Sequence, residues 1–219
     1  ETFWWTHPEL WVSPGGEGRG SRYFDYAKKG VRDHAMALVR EILERWDVDG
    51  LELDWMREIH CLGRERAKRD SHYLTSFMRD AAAEVAAASR RRGHPILLAA
   101  RLSSSLANAV EFGFDVRTLA KEGIVDVVIP SNGYSTPDYN MDIPAWRDAL
   151  SGGPKKVVLL PGADCCLHTS KERRLHLTED LSFLHGWAHI NSGGDGHYLF
   201  NIQYYKPAFL RQSIYKTGF

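Results

Sequence analysis

Two carboxylates, two residues apart at the end of a short apolar run, are the groups in this sequence best placed to do chemistry. In Asp49-Gly50-Leu51-Glu52-Leu53-Asp54-Trp55-Met56-Arg57, an extended backbone turns Leu51, Leu53 and Trp55 to one face and Glu52 and Asp54 to the other. A buried strand that places two charges on its inner face bears a desolvation cost unless they are paired or used. Paired carboxylates serve acid–base and nucleophilic work, above all glycosidic cleavage. There one carboxyl protonates the leaving oxygen, and the other attacks the anomeric carbon or activates water. Asp54, nearer the strand's C-terminal end, is the expected nucleophile or base. Glu52 either tunes Asp54, serves as the second carboxylate, or is held in an ion pair by Arg101 on the next apolar run.

Further candidates follow other apolar runs. Asp164, in Pro161-Gly162-Ala163-Asp164, is the first choice for a partner carboxylate, the alternative being a turn-capping aspartate; Glu58 and Glu111 stand in reserve. Arg57 and His60 come directly after the carboxylate strand and could orient Asp54 or hold an anionic sugar substituent. Arg101, Asn132, Tyr134 and Asn201 lie at or near strand ends, where sugar hydroxyls could be bound. Trp4, Trp5 and Trp11 form an aromatic cluster suited to stacking on sugar rings or, equally, to filling a loop core.

The elements that must position these residues alternate. Helical spacing runs from Val31 to Trp46 with Asp25 as the expected N-cap, from Tyr73 to Ala88 with Gly93 closing it, and more weakly from Thr178 to Ala188. Between and beyond these patterns lie Leu51–Trp55, Ile96–Leu102, Val125–Pro130, Val157–Leu160 and Tyr198–Ile202. They are almost continuously apolar, as parallel strands covered on both faces are. No hairpin signal separates them, so the order predicts repeated βα units in an α/β fold. Asp49, Asp126 and Asp195 each stand just before a strand. That places them at the N-terminal rim of a barrel, where special residues serve stability.

Tyr23-Phe24-Asp25-Tyr26-Ala27, Val31-Arg32-Asp33, Trp46 through Arg57 and Asp195 through Asn201 together resemble the family 10-like glycosyl hydrolases. The resemblance implies a (β/α)8 TIM barrel of which this chain covers roughly strands four to eight, without the N-terminal βα units. Residues 1–219 would then be the C-terminal part of a single catalytic domain. It also implies a polysaccharide or oligosaccharide substrate, no cofactor, and a secreted or periplasmic setting. His7, with Pro8 to Trp11, would lie in the loop after strand three, within reach of substrate. The family-18 chitinases share the Asp49-Gly50 start of the strand but end it in an acid where this chain has Met56, which argues against their mechanism. A catalytically silent carbohydrate-binding barrel is the rival reading, and a metal-dependent hydrolase a more distant one.

Composition narrows the alternatives. With 28 basic and 28 acidic residues, the chain offers no broad basic footprint for nucleic acid. No apolar run approaches the roughly 18–20 residues of a membrane span. Three cysteines, Cys61, Cys165 and Cys166, are expected as free thiols, with a bridge from Cys61 to one of the others as the alternative. His185 and His189 share a helix face at zinc-ligand spacing, but Gly186 stands where a zinc-protease glutamate would, so a surface pair is expected. Ser103-Ser104-Ser105 lacks the flanking glycines of a nucleophile elbow. The start at Glu1 and the continuing aromatic run behind it suggest a chain that begins inside a larger protein.

Overall fold

The computed structural model describes residues 2–16, 22–132, 137–164, 166–168, 170 and 173–201. Its main sheet is built from β1 (Gly50–Asp54), β2 (Leu97–Ser103), β3 (Val127–Ser131), β4 (Val158–Leu159), β5 (Gly162–Ala163) and β8 (Tyr198–Leu199). The order is β1-β2-β3-β5-β8, with β4 also on β3, and every pairing is parallel. β4 and β5 are one strand position interrupted at Leu160 and Pro161, since both pair with β3. Five strand positions result, as the sequence predicts, and they form a partial (β/α) barrel.

After a single-turn α1 (Phe3–Thr6), the expected helices form where the apolar spacing places them. α2 (Lys29–Arg45) buries Val31, Met36, Val39 and Leu43; α3 (Ser71–Arg92) buries Leu74, Phe77, Met78, Ala81, Val85 and Ala88. Apart from Val31, both stripes pack in one core with Leu51, Leu98, Ala100, Leu102 and Val128, the helix-facing residues of β1 to β3, and with Trp55 just past β1. Gly93 closes α3 with φ of 78°, in the left-handed region open to glycine. Asp25 does not cap α2, whose N-cap is Lys28. Its buried carboxylate accepts from the Ala27 amide and from Arg66 at 2.6 Å, pinning the segment before α2 to the loop after β1. Shorter helices fill the remaining connections: α4 (Leu106–Glu111), α5 (Val116–Lys121) and α6 (Ile143–Ala149), with α7 (Glu179–Asn191) capped by the Thr178 hydroxyl.

The rim aspartates behave as brackets. Asp126 accepts the Leu98 amide of β2 and pairs with Lys155, and Asp195 accepts the Leu159 amide of β4 and pairs with Arg147 and Lys156. Each ties the start of one strand to its neighbour, a stabilising role at the N-terminal rim.

Two further expectations fail. A hairpin does occur: β6 (Cys166–His168) and β7 (Arg174–His176) pair antiparallel directly after Asp164. Such a short excursion in a strand-to-helix loop carries too few residues to show a period. His185 and His189 are not at the surface but fully buried, because α7 is apolar almost all round and its histidines turn inward. His185 Nδ1 lies 3.0 Å from His197 Nε2, and His189 Nε2 lies 2.8 Å from the Asp138 carbonyl. Gly186 leaves room for this contact: a Cβ there would lie 2.8 Å from His197 Nδ1. Among the described residues no group of three or more side chains could hold a metal ion, and of the described cysteines Cys61 is a buried free thiol and Cys166 is buried.

Burial, followed by the neighbouring histidines, lowers His185 from 6.5 to about 2 and His197 from 6.5 to about 4. The unfolded chain therefore takes up protons that the folded one refuses. Stability is expected to fall as pH drops below 6.5, by up to about 1.4 kcal/mol per pH unit for each of these histidines. Denaturant midpoints measured from pH 7 to 5 should show this slope flattening in His185→Gln; an unchanged slope would refute it.

Candidate functional site

β1 and β2 run in register, so Asp54 stands opposite Arg101 on the inner face, with Ile129 of β3 next in the row. Arg101 is only 2% exposed. Its Nη1 donates to both Asp54 oxygens at 2.8 and 2.9 Å, and its Nη2 to Ser131 Oγ at 3.3 Å and the Asn132 carbonyl at 3.2 Å. The Phe200 ring covers the guanidinium face at 3.7 Å. Arg101 thus pairs with Asp54, whereas the sequence offered Glu52 as its partner. The reason is register: Glu52 sits opposite Ala99, one pleat away.

Asp54 Oδ1 also accepts the Met56 amide at 2.9 Å. That leaves Oδ2 with Arg101 as its recorded hydrogen-bond donor, on a side chain that keeps 31% of its surface exposed. Glu52 lies on the same face and remains solvent-exposed, although its carboxyl is partly desolvated. Its Oε1 accepts the Tyr198 hydroxyl at 3.1 Å, across the concave side of the sheet from β8. Burial, followed by the charge of Asp54, raises Glu52 above its ordinary value of 4.5; Tyr198 and Arg101 oppose the rise without cancelling it. Two carboxyls on one strand therefore sit in different surroundings, one ion-paired and one desolvated. That separation is how an acid and a base are set apart.

Asp164 directly follows β5, because the fourth strand position runs on past Pro161 to Ala163. It is 4% exposed and accepts Asn201 Nδ2 at 3.1 Å. Asn201 holds φ of 57°, the left-handed region that asparagine tolerates better than most residues. The Phe200 amide donates to the Ala163 carbonyl at 2.8 Å, so the Asp164–Asn201 pair and the Arg101 group meet around Phe200. Asn132 belongs to this cluster too, its Oδ1 accepting Ser104 Oγ.

Other candidates lie apart. His60 is held by Arg64 at 2.9 Å and edge-on to Phe112, where burial and then Arg64 lower its pKa. Arg57 is exposed in the turn after β1. Glu111 sits on α4, paired with Lys68 at the surface, and Glu58 lies close enough to Cys61 to act on its thiol. Trp4 and Trp11 are tied down by hydrogen bonds to backbone carbonyls, leaving Trp5 as the open ring at 58% exposure. His7 is stacked on Phe3. No described contact joins Trp5 or His7 to the carboxylates, and Tyr134 lies outside the described residues.

Tyr198, Phe200, Ser131 and Ser104 were not anticipated. The alternation in His197-Tyr198-Leu199-Phe200 carried a signal for the first two: once His197 faces α7, residues 198 and 200 face the barrel.

The desolvation of Glu52 should leave a mark on stability. Its folded pKa is raised, so its stabilising contribution is complete below pH 4.5 and is lost as pH climbs through the raised value. Glu52→Gln is therefore expected to melt higher than the parent at neutral pH, with the advantage vanishing below pH 4.5. Melting curves at both pH values check this, and equal melting at pH 7 would contradict it.

No protein-family model matches the sequence, nor does any curated protein. Solved structures do align. A chitinase-like agglutinin from Robinia pseudoacacia shares 17% identity over 93% of this chain and 79% of that one, with a TM-score of 0.61. A chitinase from Chromobacterium violaceum shares 12% identity over 93% of this chain and 77% of that one, with a TM-score of 0.55. The solved relatives are thus chitinase-like, where the sequence pointed to family 10-like proteins. At such identities the likeness is one of fold, and this chain has a partial (β/α) barrel of α/β class.

Proposed function

We propose that this chain is part of a barrel glycoside hydrolase that cleaves O-glycosidic bonds of a polysaccharide or oligosaccharide. Residues 1–219 would belong to its single catalytic domain. The observation that carries the reading is the unequal treatment of Glu52 and Asp54 on one inward face: the first is desolvated, the second held as an ion pair by buried Arg101. Glu52 gives its proton to the glycosidic oxygen as the C–O bond breaks. Asp54 attacks the anomeric carbon through Oδ2 or takes a proton from the attacking water. Asp164, steadied by Asn201, is the second candidate for the carboxylate opposite Glu52. Asn132 and Asn201, beside the Arg101 group and Asp164, would hydrogen-bond sugar hydroxyls, and Trp5, exposed away from the carboxylates, would stack on a more distant sugar ring.

A binding barrel without turnover is the second reading. It is favoured by Met56, which turns into the core where the family-18 strand carries its acid, and by the agglutinin among the structural relatives.

Glycan-panel turnover by the full-length protein separates the two. Glu52→Gln and Asp54→Asn should each lower kcat/KM by about 10²–10⁴-fold while sugar binding persists. Activity should also decline on the alkaline side as Glu52 loses its proton, at a pH above 4.5. Undiminished turnover in both variants would refute the roles given to Glu52 and Asp54, and no turnover by the parent on any glycan would favour the binding barrel.

A further inference from the structure

We infer that Tyr198 is a positioning residue for Glu52, holding Oε1 so that the transferable proton resides on Oε2. The inference rests on the reading of Glu52 as proton donor and deepens it.

The two residues are 146 positions apart in sequence and on opposite ends of the sheet order, yet their side chains meet at 3.1 Å. Tyr198 has little freedom to do otherwise. Its amide donates to the Pro161 carbonyl at 3.1 Å, and its backbone is registered on Gly162. Its ring lies over that glycine, where an added Cβ would approach the ring to 3.3 Å and Ser131 Cβ to 2.9 Å. On the other face of the strand, His197 is locked against His185. The phenol is thus delivered to Glu52 by a strand fixed on both faces.

A carboxylic acid carries its proton on one oxygen. An oxygen that accepts a phenolic O–H is the poorer place for a second proton, so the acid form of Glu52 is directed to Oε2. The phenol remains a donor, because burial and then the charge of Glu52 raise its own ionisation well above 10.0. The groups that face Glu52 are Asp54 on its own strand, Arg101 on β2 and Tyr198 on β8. Of these, Tyr198 alone is hydrogen-bonded to the Glu52 carboxyl.

A donor to the charged carboxylate favours that form, so removing it should make Glu52 hold its proton to higher pH. In full-length protein labelled with ¹³C at the glutamate carboxyl, the Glu52 resonance, assigned by its loss in Glu52→Gln, should titrate about one pH unit higher in Tyr198→Phe. The alkaline limb of kcat/KM on an aryl glycoside that the parent cleaves should move by the same amount, with kcat lowered more than KM is changed. A Glu52 resonance that titrates at the same pH in folded Tyr198→Phe would overturn the inference. If that variant does not fold, 3-fluorotyrosine at position 198 keeps the ring and strengthens the donor. Glu52 should then titrate lower than in the parent, and no downward shift overturns the inference equally. The readings fail separately: a titration shift together with full activity in Glu52→Gln would keep the contact and discard Glu52 as the acid.

Discussion

A guanidinium almost without solvent has to be neutralised where it sits, and in this chain that requirement organises the inner face of the sheet. Arg101 meets Asp54 of β1, Ser131 at the end of β3, the Asn132 carbonyl and the ring of Phe200 just past β8. One side chain on β2 therefore draws on three other strand positions. Replacing a buried pair by apolar residues often costs nothing or even stabilises, so stability is weak grounds for its presence. Arg101 makes better sense as the residue that fixes Asp54, donating to both of its oxygens while the side chain keeps 31% of its surface exposed.

With Arg101 committed to Asp54, Glu52 must find its partner elsewhere. It lies one pleat deeper, opposite the small Ala99, and is reached by a tyrosine from the far end of the sheet order. Differential desolvation of two like groups on one strand is the physical core of the catalytic reading. Elsewhere the charges do ordinary work: the rim aspartates at 126 and 195 fasten strand starts, and Asp25 anchors a loop through Arg66. What distinguishes Glu52 and Asp54 is their position on the concave face near the strand ends, where barrels of this kind place their chemistry.

The sequence carried more of the fold than of the site. Apolar runs of strand length separated by helical periodicity are local signals, and α2, α3, α7 and the five strand positions follow from them. The N-cap of α2 was missed because Asp25, although suited to capping, was claimed by Arg66, a partner 41 residues away. The hairpin after Asp164 was too short to show a period. The histidines of α7 looked like a surface pair because helical spacing tells which residues share a face but not whether that face meets solvent.

Parity alone puts Glu52 and Asp54 on one face of a strand in an α/β fold, because side chains of an extended chain alternate in direction. Order along the chain likewise places Asp126 and Asp195 before their strands. Which cation would meet which carboxylate was decided only by tertiary structure. Register put Arg101 beside Asp54, and sheet curvature brought Tyr198 to Glu52 and Phe200 over Arg101. Both depend on how strands far apart in sequence align and curl. No spacing within one segment encodes that alignment, so the difference between the two carboxyls, and with it their division of labour, becomes legible only in the folded chain.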